Sequence, residues 1–369
     1  MKDQLKETSR LDNLQPVFGR TTFVGATAFR VMQAAFQKAL EKNPDSFRES
    51  FYTFAGQSVR IRIIGRTLAN NITQPFSHLQ TARSASPTPQ LTIDLWDENE
   101  TGIHLSRVSH DNSDWTEITA TSPDQRFVGQ RRLHTFACLD RITNHIIGSI
   151  SWHEQISVYE RAKPLARLLL EWCNDYGVQV IHAGLVVHQG QGILFVGKSG
   201  AGKSTSALAC LCAGFGYLSE DFVGLQRLPD GSFLGHSLYN SVFLETGHLT
   251  RFPSLLSYII KGRPDEEKSV VLLSQAFPER LRRVVSIRVL LIPRIARARE
   301  SKIYPASKAQ ALLALGPSSL FQIHSRRTYS FDNLTQLVEQ VPCYWLELGC
   351  DLSSIPRCVE ELTAKVNFS

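Results

Sequence analysis

The stretch Gly197-Lys198-Ser199-Gly200-Ala201-Gly202-Lys203-Ser204 constrains this chain more than any other. It satisfies the pattern G-x-x-x-x-G-K-[ST] at every fixed position. The apolar run Ile193-Leu194-Phe195-Val196 before it predicts a buried strand, and Ser206 to Cys212 after it predicts a helix. Strand, glycine loop and helix in that order turn backbone N–H groups inward around phosphate oxygens, and the helix N-terminus adds its dipole. In that setting Lys203 would reach the outer phosphates of ATP and the Ser204 hydroxyl would bind Mg²⁺. Thr205, next in line, would contact an α-phosphate.

Composition sets wide bounds around this motif. The 369 residues allow two or three domains. Hydrophobic residues make up 43% and charged residues 20%, an ordinary globular balance. A net charge of +6 with no concentrated basic stripe gives no reason to expect nucleic acid as a partner. The local basic runs at 280–283 and 294–299 read as solvated faces in preference to a polyanion site. Seven cysteines at irregular spacing form neither a disulfide framework nor a CxxC zinc site. Met1-Lys2-Asp3-Gln4 opens no signal peptide, and no apolar run approaches the ~20 residues of a membrane span. The expectation is a cytoplasmic chain with no membrane partner.

Along the chain, residues 1–20 are polar. Phe29, Met32, Phe36 and Leu40 recur at helical spacing over 27–42, with Pro44 ending the helix. The alternation Val59-Arg60-Ile61-Arg62-Ile63 predicts a strand with one wet face, and residues 91–96 and 146–150 predict further strands. Residues 81–90 and 111–125 are loop-like. Leu165, Leu168, Leu169 and Trp172 share one face of a helix over 164–175, which Gly177 breaks. From there the expected order is strand 178–187, turn 188–192, strand 193–196, glycine loop, helix and strand 216–225. A buried strand over 284–292 should end at Pro293. Helices are expected over 306–315, 333–341 and 357–366, with a strand at 343–348.

A phosphate loop needs acids that handle metal and prepare a nucleophile. Glu220-Asp221 lies one helix and one turn after Ser204, where the next strand can return carboxylates to the same sheet edge. One acid would serve Mg²⁺ and its neighbour would take a proton from an attacking hydroxyl. On spacing alone a surface turn explains the acidic pair equally well. His182, between apolar Ile181 and Ala183, is a second candidate, and as a lone His in apolar company it is also readable as a structural residue.

These pieces together resemble the HPr kinase/phosphorylase family. The likeness runs from Ile181-His182-Ala183-Gly184 through the glycine loop to Ser219-Glu220-Asp221-Phe222-Val223. The chain looks still more like the shorter HPr kinase-like bacterial proteins, through Leu238-Tyr239-Asn240-Ser241, Glu267-Lys268, Pro278-Glu279-Arg280-Leu281 and the region 305–319. The resemblance spans about residues 128–365. It implies an α/β fold with a P-loop nucleotide-binding kinase core of the HPr kinase/phosphoenolpyruvate carboxykinase type, and ATP-dependent phosphorylation of a hydroxyl, usually serine. Carried over, Asp221 would be the general base, Glu220 would assist Mg²⁺ and His182 would orient or polarise the catalytic group. Three departures stand out: Glu220 replaces an Asp, Thr205 replaces an acid, and the E-x-R-G-x-G segment and the C-terminal signature are absent. These departures weaken the case for HPr as acceptor and leave phosphorolysis open.

The organisation expected is an extension with an amphipathic helix (1–45), a small α+β domain (46–155) and an HPr kinase-like P-loop domain (156–369). The site expected is Asp221, His182 and Lys203 for catalysis, 197–205 for the nucleotide, and Ser204 with Glu220 for Mg²⁺. Lys268 and Arg280 are further phosphate contacts to test, and a surface salt-bridge role explains them at least as well. The acceptor is a protein, peptide or small molecule bearing a hydroxyl, and homo-oligomerisation is open. The alternative is a nucleotide-binding regulatory protein that transfers no phosphate.

Overall fold

A computed structural model describes residues 25–82, 88–105, 118–153, 156–262, 266–320 and 327–365. The polar segment at 1–20 and parts of the loop-like stretches at 81–90 and 111–125 lie outside the described residues. By contact the chain divides into two units, one of residues 1–74 and 80–172, the other of residues 75–79 and 173–369. This is a division by contact. That 1–45, 46–155 and 156–369 fold as separate domains is a proposal.

The first unit contains α1 (Gly25–Lys42), β1 (Phe47–Phe54), β2 (Gln57–Ile64), α2 (Arg66–Ile72), β3 (Gln80–Thr81), β4 (Leu91–Asp97) and α3 (Glu98–Thr101). It continues with β5 (Ile118–Thr121), β6 (Phe127–Arg131), β7 (Thr135–Asp140), β8 (His145–Ile150), α4 (Val158–Ala162) and, as far as Trp172, α5 (Ala166–Asp175). Its eight strands form one mixed sheet, in the order β3-β1-β2-β4-β8-β7-β6-β5. The helical spacing read from Phe29, Met32 and Phe36 is the buried face of α1, which packs on Ile64, Trp96 and Phe127 of the sheet. In β2 the alternation holds: Val59, Ile61 and Ile63 are buried. The opposite face is more than wet. Arg62 forks onto buried Asp94, which also meets His145 at 2.9 Å, so the basic face is pinned by a carboxylate on the next strand.

The second unit contains β9 (Val178–His188), β10 (Gln191–Val196), α6 (Lys203–Cys212), β11 (Gly216–Ser219), β12 (Phe222–Arg227), β13 (Phe233–Ser237), β14 (Ser241–Glu245), β15 (Ile259–Ile260) and β16 (Lys268–Leu272). After these come α7 (Leu273–Ala276), β17 (Val284–Ile295), β18 (Lys302–Pro305), α8 (Lys308–Leu320), α9 (Arg327–Gln340), β19 (Cys343–Leu348) and α10 (Ser354–Lys365). β10 lies between β9, to which it is antiparallel, and β17, to which it is parallel. The sheet is buried on both faces, as the continuous apolar runs of β10 and β17 require. Ile193, Phe195, Val289 and Leu291 pack toward α6 and α10. Leu194, Val196, Leu290 and Ile292 pack toward α8 and α9. β14, β16 and β15 form a separate three-stranded sheet.

Two expectations about strands are corrected. Residues 216–225 are not one strand: β11 pairs the second half of β9 and β12 pairs the first half. Glu220 and Asp221 occupy the crossing between them. β17 also does not end at Pro293 but runs to Ile295, with Pro293 opposite Leu346 of β19. Leu290 N donates to Pro342 O and Ala296 N donates to Leu348 O, so the even-numbered amides of β17 face β19. The position of Pro293 faces the β10 side, where pairing has already stopped at Phe195 opposite Leu291. No donor is needed there, so proline is tolerated.

Candidate functional site

The glycine loop leaves the C-terminal end of β10 and enters α6 at Lys203. Gly197, Gly200 and Gly202 have φ of 153°, 77° and 105°, the half of conformational space that side chains disfavour. Gly202 has a second reason to be glycine: a Cβ there would overlap Leu348 Cδ1 at the end of β19. The loop closes on itself through Ala201 N donating to Lys198 O at 3.2 Å and Ser206 N donating to Gly202 O at 2.9 Å.

Lys203 is 5% exposed. Its Nζ donates to Gly197 O at 2.8 Å and to Lys198 O at 3.2 Å. Burial pushes its ammonium below the usual lysine range, while the charges of Asp221 and Glu220 oppose that shift. The loop's own carbonyls thus hold the cation at the lip of the cavity.

Two further pairs converge beside the loop. Ser204 Oγ, on the first turn of α6, donates to Glu220 Oε2 at 2.5 Å. Glu220 Oε1 accepts the Phe243 amide of β14 at 3.4 Å. His182 Nε2 stands 3.0 Å from Asp221 Oδ1, each side chain about one-fifth exposed. This second pair follows from register. Phe222 lies opposite His182, and Ala183 N donates to Asp221 O at 2.9 Å. The step from β11 to β12 therefore sets the acid beside the histidine of β9. The Asp221 amide is in turn fixed on Ser219 Oγ at 3.1 Å.

One cavity of about 560 Å³ joins these groups. His182, Glu220, Asp221, Lys203, Ser204 and Thr205 line it, together with Ser199, Gly200 and Gly202. Gly197, Lys198 and Ala201 belong to the loop but not to the cavity lining. Lys268 is part of the wall. Arg280 is not: its guanidinium donates to Leu211 O at 3.0 Å and lies against Glu279. Of the two readings of Arg280, phosphate contact and surface salt bridge, this geometry matches the salt bridge.

Other lining residues were missed by sequence reasoning. Phe243, Glu245, Arg251 and Phe252 come from β14 and the short turns after it, and Ile295, Ala296 and Gly349 come from the ends of β17 and β19. None sits in a recognisable motif. Ile295 and Ala296 fall within the basic run 294–299, whose charge pattern carries no sign of a cavity wall.

Among the described residues no group of three or more His, Cys, Asp or Glu side chains is arranged as a metal cage. Mg²⁺ does not require one. It keeps several waters and takes one or two carboxylates plus phosphate oxygens, so the hard oxygens of Ser204 and Glu220 suit it as part of a complex with a nucleotide. Among the described residues no helix is long and apolar enough to cross a membrane.

The unit is thus a mixed α/β sheet structure carrying a strand–glycine loop–helix site. No protein-family model and no curated protein matches the chain. Solved structures do match, among them the HPr(Ser) kinase/phosphatase from Coxiella burnetii. The likeness is distant: 11% identity over 50% of this chain and 94% of that one, with a TM-score of 0.26.

Proposed function

We propose that this chain is an ATP-dependent phosphotransferase that moves the γ-phosphate of ATP to a hydroxyl, such as that of serine, on a protein, peptide or small molecule. The observation that carries this reading is the convergence on one cavity of the glycine loop, the Ser204–Glu220 pair and the His182–Asp221 pair. In this reading 197–205 cradle the phosphates, with Lys203 exchanging loop carbonyls for phosphate oxygens when nucleotide enters. Ser204 and Glu220 hold Mg²⁺, which would neutralise phosphate charge as it redistributes. Asp221 accepts the hydroxyl proton of the acceptor. The acceptor oxygen bonds to the γ-phosphorus as the bond to the β–γ bridging oxygen breaks, and ADP leaves. His182 fixes the Asp221 carboxylate so that one oxygen faces the acceptor.

Phosphotransfer is favoured over nucleotide sensing alone by the His182–Asp221 contact, since a protein that only senses nucleotide has no need of an oriented base. The test uses purified protein, γ-labelled ATP, Mg²⁺ and a lysate of the source organism, with Asp221→Asn alongside. A labelled acceptor that disappears with Asp221→Asn supports the proposal. An equal yield of labelled acceptor from the variant rejects Asp221 as base. Nucleotide binding without any labelled acceptor shifts the reading to a nucleotide-binding regulator.

A further inference from the structure

The cavity beside the glycine loop has two chemically different ends. One holds Glu220, Asp221, His182 and Lys268. The other is walled by Ile295, Ala296, Leu348, Gly349, Cys350 and Leu352, from the ends of β17 and β19 and the turn before α10. None of these six residues carries an amide, carboxylate, imidazole, ammonium or guanidinium side chain. Leu348 lies directly against Gly202, so the apolar wall begins where the glycine loop ends. Ile295 is 77% exposed, a large apolar side chain open to solvent at the rim of a concave site. Such a surface is costly to leave wet and is suited to a flat apolar ligand group.

Three backbone donors at this end are already engaged. Ala296 N donates to Leu348 O at 3.0 Å, and Cys350 N donates to Ala298 O at 3.0 Å. Gly349 N donates to Ser301 Oγ at 3.1 Å. Adenine and guanine differ in their donor and acceptor pattern at the six-membered ring, so a site that separates them needs free hydrogen-bonding groups aimed at that edge. These three amides are already engaged, and the side chains offer only the Cys350 thiol, a weak donor.

We infer that the apolar end takes the nucleobase by contact with Ile295 and Leu348 and does not discriminate between purines, so that ATP and GTP bind with similar affinity. This inference rests on the nucleotide reading proposed above and adds base selectivity to it. The polyphosphate lies on the loop between the two ends. The base therefore turns toward Leu348 and Ile295, leaving the acidic end to the acceptor.

The test is equilibrium competition by ATP, GTP and inorganic tripolyphosphate, each with Mg²⁺, against a fluorescent nucleotide on the full chain. Ile295→Asn is measured in parallel. Its exposure makes folding insensitive to the change, and a circular dichroism melt checks this. The expected result is ATP and GTP within about threefold of each other and both at least tenfold tighter than tripolyphosphate. Ile295→Asn should weaken both nucleotides about five- to tenfold while leaving tripolyphosphate unchanged. An ATP:GTP ratio beyond about thirtyfold in either direction overturns base indifference while leaving the phosphotransferase reading intact. Unchanged nucleotide affinity in Ile295→Asn, or an equal loss for tripolyphosphate, overturns the placement of the base. Binding of neither nucleotide nor tripolyphosphate by the parent rejects the nucleotide reading itself, and the inference with it.

Discussion

His182 Nε2 and Asp221 Oδ1 lie 3.0 Å apart, although 38 residues separate them in the chain (221 minus 182, less one). A carboxylate held this way presents its other oxygen in a fixed direction. Asp221→Asn keeps the shape but removes the proton acceptor. The expected outcome is a loss of phosphotransfer of about 10²–10⁴-fold with nucleotide affinity within about threefold of the parent. His182→Gln keeps one hydrogen bond to Asp221 and should fall between the two. Single-turnover transfer and nucleotide titration on the same preparations check both.

Ser204 and Glu220 share a 2.5 Å hydrogen bond, so removing the Glu220 charge should act through the metal. In Glu220→Gln the Mg²⁺ concentration for half-maximal turnover is expected to rise about 10–100-fold, the usual range for a displaced metal partner. Saturating Mg²⁺ should recover most of the rate. A rate that Mg²⁺ does not recover would place Glu220 in the chemistry itself.

Gly202 combines a φ of 105° with contact against Leu348. In Gly202→Ala the left-handed backbone and the overlap with Leu348 add, and a loss of about 2–4 kcal/mol in stability is expected. Pairing it with Leu348→Ala removes the overlap but not the backbone strain. Urea denaturation of the two single variants and the double variant should then show partial recovery. No recovery would mean that strain alone sets the cost.

Stability should fall as the pH drops from about 7.5 to 5. Burial and nearby Arg283 hold His78 down to about 3, and burial holds His236 down to about 4. His78 makes the reason plain. Ser237 Oγ donates to Leu218 O at 2.7 Å, so its oxygen accepts the His78 Nε2 proton at 2.7 Å. His78 Nδ1 is left as an acceptor facing Asn240 Nδ2 at 3.4 Å. A second ring proton would point at that amide.

The sign follows from linkage. Both pKa values are lower in the fold than the ~6.5 of an unfolded histidine, so below ~6.5 the unfolded chain binds the protons and is favoured. The stabilisation is complete above ~6.5 and is lost down to the folded values, reaching about 2 kcal/mol per histidine at pH 5. Urea midpoints from pH 7.5 to 5 should decline. His236→Gln should reduce the slope by about one proton, and a flat profile in the parent would show that neither imidazole is held neutral.

Much of the fold was legible where the signal is local and periodic. The face of α1, the alternation in β2, the doubly buried run of β10 and the strand β19 at Cys343–Leu348 all follow from side-chain period and burial. The glycine loop was legible for the same reason, because its residues are contiguous and its requirement for positive φ is written in glycine. What failed were boundaries set by neighbours. Pro293 did not stop β17, since the strand that would have needed its amide has already ended. Residues 216–225 did not form one strand, since β9 offers its two halves to two different partners.

By itself the sequence determined the strand–loop–helix around Lys203 and Ser204 and nominated His182, Glu220 and Asp221 as chemically able. Only the tertiary structure brings them to one cavity. The β9–β12 register brings Asp221 to His182, α6 turns Ser204 toward Glu220, and the ends of β17 and β19 build an apolar wall from residues that carry no motif. Contacts between residues far apart in sequence depend on which strand halves pair and where each strand ends. That is fixed by packing of the whole sheet between its helices and not by any one segment.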